Sequence, residues 1–315
     1  MGPRRRLVRC GPGYGWRVQT QTNAVDELIE PKRRPRAPSA GAPKPPLVIK
    51  ATSGWASIRF RELWSYRELL YFLVWRDVKV KYKQTAIGIA WTVLQPIANV
   101  ILFTLIFGHL ARLPTNGVPY PIFFYAGFLP WQIFAIGLSQ SSTSLVSNQA
   151  LLTKVYFPRV LIPAGVVLAG VVDAAISFVV LLAFYAYYGM TPTFAIFALP
   201  IFIVLAFLSA LGAGVWLSAL NVRYRDVQTA LPLLSQIWFF ATPIAYAPTL
   251  LPASWRALYD LNPMTGVLDG VRWALFRTPV HFPIASLVAT AVIALLLGSG
   301  LAYFRRVERT FADVV

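Results

Sequence analysis

Few side chains in this 315-residue sequence have types and spacings suited to covalent chemistry. Cys10 stands alone, so no internal disulfide can form, and two histidines (His109 and His281) argue against a His/Cys metal cage. No Gly-Lys dipeptide occurs, hence no G-x-x-x-x-G-K-[ST] loop to cradle nucleotide phosphates. Neither G-x-S-x-G nor H-E-x-x-H is present. No catalytic residue, metal set or cofactor is assigned to this chain. The remaining polar groups suit passage rather than reaction. Asp173 is the only charged side chain deep within a long apolar run, where a charge is costly and is by default a functional candidate. Capping by Ser or Tyr hydroxyls of a neighbouring span, or protonation, is the alternative. Gln95 and Asn99 lie one helical turn apart, and lipid would leave their amides unsatisfied, so they must face protein or a channel. Rings and amides recur beside them at Phe107, Phe123, Phe124, Trp131, Phe239 and Phe240. Sugars present apolar C–H faces and hydroxyl edges, which aromatic rings with nearby amides accommodate. Trp91, Gln95, Asn99, Phe103, Gln132, Gln236 and Trp238 are the channel-lining candidates, although aromatics at span ends also serve as ordinary interface anchors.

The elements that must hold these groups are membrane helices. Hydrophobic residues make up 57% of the chain and charged residues 13%, with mean hydropathy +0.59. That excludes a water-soluble enzyme, a disordered regulator and a disulfide-rich secreted domain. Charge-free runs predict an all-α integral membrane protein with six spans, at about 87–110, 120–141, 160–186, 194–220, 229–246 and 282–304. The polar run 139–149 is expected to leave the second span as a cytoplasmic segment. Residues 1–54 read as a disordered, basic, Pro-rich arm without the apolar core of a signal peptide. Residues 55–310 form the membrane domain and 311–315 a tail.

Net charge is +17, and residues 1–86 hold 18 basic against 6 acidic residues. With the N-terminus inside, cytoplasmic segments carry 25 Lys and Arg and outer segments 4, so both termini are expected in the cytoplasm. The basic end suits anionic lipid headgroups or an acidic partner, and no nucleic-acid motif accompanies it. Residues 62–83 mix aromatics with charges and predict an amphipathic helix in the cytoplasmic interface, despite the strand-like alternation of 77–83. Its contact candidates are Arg67, Glu68, Trp75, Arg76, Asp77, Lys79, Lys81 and Lys83. A soluble, solvated helix is the competing reading. Two further cytoplasmic clusters are Lys154, Tyr156, Phe157, Pro158 and Arg159, and then Arg223, Arg225 and Asp226. In the first, Tyr156 and Phe157 offer an apolar knob flanked by charge, although simple positive-inside anchoring also accounts for the bases. The outer connection 247–281 stays half apolar and predicts two short helices, about 254–260 and 264–276, joined at Asn262-Pro263. Trp255, Asp260, Asn262, Asp269 and Arg272 are its candidates.

Four stretches taken together carry a family resemblance: 63–108 (LWSYRELLYFLVWRDVKVKYKQTAIGIAWTVLQPIANVILFTLIFG), KVYFPRVLIP (154–163), LNVRYRDVQ with LPLLSQIWFFATPIAY (220–246), and LNPMTGVLDGVRWAL (261–275). In this order and spacing the chain resembles the type-2 ABC permeases that export lipid-linked O-antigen, capsule or teichoic acid. The resemblance covers about 55–310. It implies a homodimer in the bacterial cytoplasmic membrane, working with two copies of a separate ATPase that holds the ATP and magnesium. The interface helix and 154–159 would be the coupling elements, and 247–281 the periplasmic gate. The function expected is outward movement of a lipid-linked glycan. The alternatives are a drug or lipid exporter of the same fold, or a polytopic glycosyltransferase using Asp260, Asp269, Arg256, Arg272 and Arg277.

Overall fold

Apolar runs with no charge to solvate become helices, because only a helix or a closed barrel satisfies every backbone group away from water. The computed structural model describes residues 64–83, 88–115, 117–154, 157–250, 252–277 and 282–308, and no strand occurs among them. The basic arm 1–54, Tyr156 and the tail 311–315 lie outside the described residues.

Helix α1 (Arg67–Lys83) carries Glu68 in its first turn and Lys81 and Lys83 in its last, the polarity that a helix dipole favours. The alternating run 77–83 is thus helical. Helix α2 (Gly88–Phe103) contains Pro96 and passes into a π-helical segment, Thr104–Leu110. Helix α3 (Tyr120–Ser147) is 28 residues long. It therefore carries the polar run that was expected to leave the span as far as Ser147. Ser142, Thr143, Ser144 and Ser147 turn their hydroxyls back onto carbonyls three or four residues earlier in the same helix. The polar groups are satisfied locally and the helix continues.

A short α4 (Gln149–Lys154) leads to α5 (Leu161–Ala169) and α6 (Val171–Tyr187), which form one 27-residue apolar stretch interrupted at Gly170. After the 3-10 turn Phe194–Ala198 comes α7 (Leu199–Arg223), then α8 (Asp226–Ala241). The connection expected on the outer side contains α9 (Ala253–Asp260) and α10 (Pro263–Phe276). Asn262 accepts from the Met264 amide at 3.1 Å and so caps α10, with Pro263 at its first position. Helix α11 (Phe282–Glu308) completes the described chain.

Among the described residues, five stretches are long and apolar enough to cross a membrane: Ala90–Leu110, Tyr120–Ser147, Leu161–Tyr187, Phe194–Arg223 and Ala285–Glu308. The stretch expected at 229–246 is a helix of only 16 residues, ending at Ala241. It is shorter than the ~20 residues that a bilayer asks for. Thr242 is extended and Pro243 follows, so the backbone breaks there.

Helix α3 is the hub: 78% of its apolar window is buried, against 17–28% in the other four spans. It packs along α7, which in turn carries α11, and α10 wedges among these three. Gly270 admits this wedge, because a Cβ there would run into the Phe202 ring of α7. A second apolar cluster, at the ends of α3, α5, α7 and α11, gathers Leu73, Leu145, Phe157, Leu161, Ile162, Val222 and Phe304.

Candidate functional site

The break after α8 is held by a polar lock. Arg272 of α10 is 1% exposed. It donates to the carbonyls of Pro243 and Ile244 at 2.8 and 2.7 Å. Those carbonyls lost their helical partners where α8 ended, and the guanidinium replaces them. Its face lies over the Phe123 ring, 4.0 Å from the centroid. Tyr120 donates to the Ala245 carbonyl at 2.7 Å. Asn262 bonds Thr242 at 2.9 Å and accepts from the Trp238 indole at 3.1 Å. Tyr246 meets Tyr259 at 3.1 Å. Asp269, one turn from Arg272, is buried with Oδ1 unpartnered. Burial pushes its carboxyl up to about 6, against the opposing charge of Arg272. Burial pulls the Arg272 guanidinium down to about 10, so it stays charged at neutral pH. Of the outer candidates, Asn262, Asp269 and Arg272 thus join one structure with the end of α8. Asp260 is half-buried beside it and Trp255 stands exposed.

The channel candidates divide into two sets. Phe103 stacks on Phe124 with centroids 4.5 Å apart and meets Phe239 edge-on at 5.6 Å. Trp131 packs against Phe239, and Phe134 against Trp238, so an aromatic seam joins α2, α3 and α8. Trp238 also serves the outer lock through its indole. Trp91, Gln95 and Gln236 are exposed instead, on the uncovered faces of α2 and α8. Asn99 donates to the Gln95 carbonyl at 2.9 Å, so its amide is satisfied within its own helix. The Gln132 side-chain oxygen is buried without a partner.

At the opposite end, Phe157 is 5% exposed inside the second apolar cluster. The ring expected to project as a knob is packed into its own chain. Arg159 is turned toward α11: its amide donates to Glu308 Oε1 at 3.2 Å and its guanidinium to the Glu308 carbonyl at 2.7 Å. Pro158 is half-buried, while Lys154, Arg223, Arg225 and Asp226 are exposed, with Arg223 over the Tyr224 ring. Along α1, Arg67 and Lys79 lie over Trp64 and Trp75. Arg76 pairs with Asp77 at 2.8 Å, and Glu68 and Lys83 are exposed. Lys81 reaches Asp173 Oδ2 at 2.6 Å, and Tyr82 donates to Oδ1 at 2.6 Å. Burial first, then the bond to Asp173, pushes the Tyr82 hydroxyl well above its usual range.

Sequence reasoning missed Glu308, Thr242, Tyr246 and Tyr82. A carboxylate at the base-rich end of the last span was the one available signal, for Glu308; the others bond across separations that no local pattern encodes.

Comparison with known proteins agrees with this architecture. The chain is 32% identical over 260 residues to an O-antigen export system permease protein from Myxococcus xanthus, covering 81% of this chain and 98% of that one. A permease of the same name from Klebsiella pneumoniae is 26% identical over 250 residues, with 79% and 95% covered. A polysialic acid transport protein from Escherichia coli is 21% identical over 237 residues, with 74% and 91% covered. Residues 68–276, which run from the start of α1 to the end of α10, match the family described as ABC-2 type transporter, and the chain belongs to that family.

Proposed function

We propose that the chain is the membrane subunit of an ABC exporter that moves a polysaccharide outward across the bacterial cytoplasmic membrane. The observation that carries this reading is the extent of the likeness to O-antigen export permeases, which runs through nearly the whole of those proteins. The cargo is a glycan built on a lipid carrier. A separate ATPase subunit, in two copies, supplies ATP and magnesium, and this chain supplies the passage and the levers.

Two copies of the chain form the passage. Exposed Gln95 and Gln236 support this, because each stands among exposed apolar residues (Leu94 and Ile101 on α2; Leu233, Ile237 and Phe240 on α8). Lipid would leave those amides unsatisfied, whereas a facing protomer or a hydrated glycan satisfies them. The seam of Phe103, Phe124, Trp131 and Phe239 lies behind this face as a rigid wall. Helix α8 together with the locked segment after it serves as the fifth of six crossings, completed by Pro243–Ala247 rather than by helix. The Lys and Arg distribution supports cytoplasmic termini, with α9 and α10 on the opposite side at the exit and the Asn262–Arg272 lock acting as a gate. Lys154 and Arg223 to Asp226 face the ATPase, and Phe157 and Arg159 anchor that segment from within. The exposed aromatic and charged face of α1 completes the docking surface and meets lipid headgroups at its edge.

Copurification from native membranes, with the eluted proteins identified by mass, tests this. A stoichiometric soluble ATPase of the ABC class is the expected result. Turnover by the purified chain with no ATPase present would overturn it in favour of a membrane glycosyltransferase. A drug-export function predicts that deleting the gene leaves surface glycan unchanged.

A further inference from the structure

Asp173 sits 12 residues past Leu161, about 18 Å along the stretch formed by α5 and α6. A carboxylate that far into an apolar helix is retained only with partners. Its partners come from α1 rather than from a neighbouring span: Lys81 and Tyr82 each take one of its oxygens at 2.6 Å. The two helices run parallel and in register. Leu73 packs at Gly165, where a Cβ would lie 3.2 Å from the leucine Cβ, and eight residues further on both helices Lys81 meets Asp173. Thr92 of α2 engages the Tyr82 hydroxyl in turn, so a third helix is tied to the pair through the tyrosine.

The contact falls just past a one-residue irregularity in the helix. The helix is interrupted at Gly170, between α5 and α6. Helix α1 packs along α5, before the break, yet its last turn grips Asp173 in the first turn of α6, beyond it. A cavity lined by Gln132, Gly137, Gln140, Gly170, Asp173 and Ser177 separates α6 from α3 here. Tyr125 of α3 donates to the Ser177 carbonyl one turn further on, at 2.8 Å, so that bond and the grip on Asp173 together set the position of α6.

We propose that Asp173 is a positioning residue for transport: by receiving Lys81 and Tyr82 it makes the interface helix and the outer half of the third span move as one body across the break at Gly170. Motion delivered to α1 by the ATPase is thereby passed to α6 rather than dissipated at the glycine. The inference rests on the exporter reading given above, and the test separates the two.

Complexes of the full chain with its copurified ATPase are reconstituted with lipid-linked glycan extracted from the host, and glycan moved per ATP hydrolysed is measured. Asp173→Asn and Lys81→Met are each expected to lower that ratio about tenfold, the value of one charge-assisted hydrogen bond. ATPase turnover and copurification should stay within about twofold of the parent. The exchange pair Lys81→Asp with Asp173→Lys is expected to restore most of the ratio, which a residue needed only for folding would not do. If Asp173→Asn does not assemble, Tyr82→Phe removes a single hydroxyl, keeps the ring, and carries the same comparison. A ratio unchanged in the assembled variants would overturn the latch while the exporter reading stands. Failure of the parent to copurify with any ATPase would overturn both.

Discussion

Replacing Arg272 by Met keeps the length and apolar stem of the side chain and removes its donors. The parent guanidinium makes two short bonds, 2.8 Å to Pro243 and 2.7 Å to Ile244, from a site 1% exposed. Bonds from a charged donor contribute roughly 1.5–3 kcal/mol each. The cation over Phe123 adds about 2 kcal/mol in a desolvated setting. Met recovers part of this by packing on the same ring and by ending the cost of burying a charge. The two stranded carbonyls recover no helical partner, because α8 has already ended. A net loss of about 4 kcal/mol follows. At roughly 2–4 °C per kcal/mol for a chain of this size, the apparent Tm should fall by about 10 °C. Arg272→Lys keeps one donor and should lose about half as much. The assay is tryptophan fluorescence of detergent-solubilised protein at fixed scan rate, since unfolding of such proteins is seldom reversible. A Met variant melting within about 2 °C of the parent would refute the claim that this guanidinium holds the broken end of α8.

Two other perturbations probe the same region. Gly270→Ala pushes a methyl into the Phe202 ring and should cost about 1–3 kcal/mol. Adding Phe202→Ala should return part of that loss, and strict additivity of the two changes would count against the contact. Asp269 titrates near 6 in the fold against an ordinary 3.8, so its protonated form is the one the fold favours. The stability it contributes is complete below 3.8 and is lost as pH rises through about 6, on the order of 3 kcal/mol. Apparent Tm of the parent should therefore fall between pH 4 and 6 more steeply than that of Asp269→Asn, and parallel profiles would contradict the assignment.

Much of the architecture was legible in local composition, because a membrane helix is specified by a run of uncharged residues and its orientation by the Lys and Arg left outside it. Five of the six expected spans, found among the described residues, and the two short helices meeting at Asn262-Pro263 follow from that arithmetic and from the turn chemistry of Asn-Pro. The 28-residue length of α3 did not. A run of Ser and Thr reads as a loop until its hydroxyls are seen bonding back to their own helix. Nor did the early end of α8, where apolar composition continues past a backbone that has stopped being helical.

The functional side chains divide along the same line. Composition singled out Asp173 and Gln95 as polar groups where polar groups are costly, and Asn262 and Arg272 only as candidates of the connection 247–281. It was silent on what each would meet, because hydrogen bonds are made between atoms near in space, not near in sequence. Asp173 lies 92 residues from Lys81, Arg159 lies 149 from Glu308, and Arg272 bonds carbonyls 28 and 29 residues earlier. Phe157 makes the point in reverse: as an aromatic beside charges it reads as a surface knob, and the packing of α3, α5, α7 and α11 turned it inward. The sequence alone therefore determined that the chain is a helical membrane protein with a strongly basic N-terminal part and a few polar groups within its apolar runs. Tertiary packing alone decided which of those groups hold the broken end of α8, which tie Arg159 to the end of α11, and which join α1 to the stretch formed by α5 and α6.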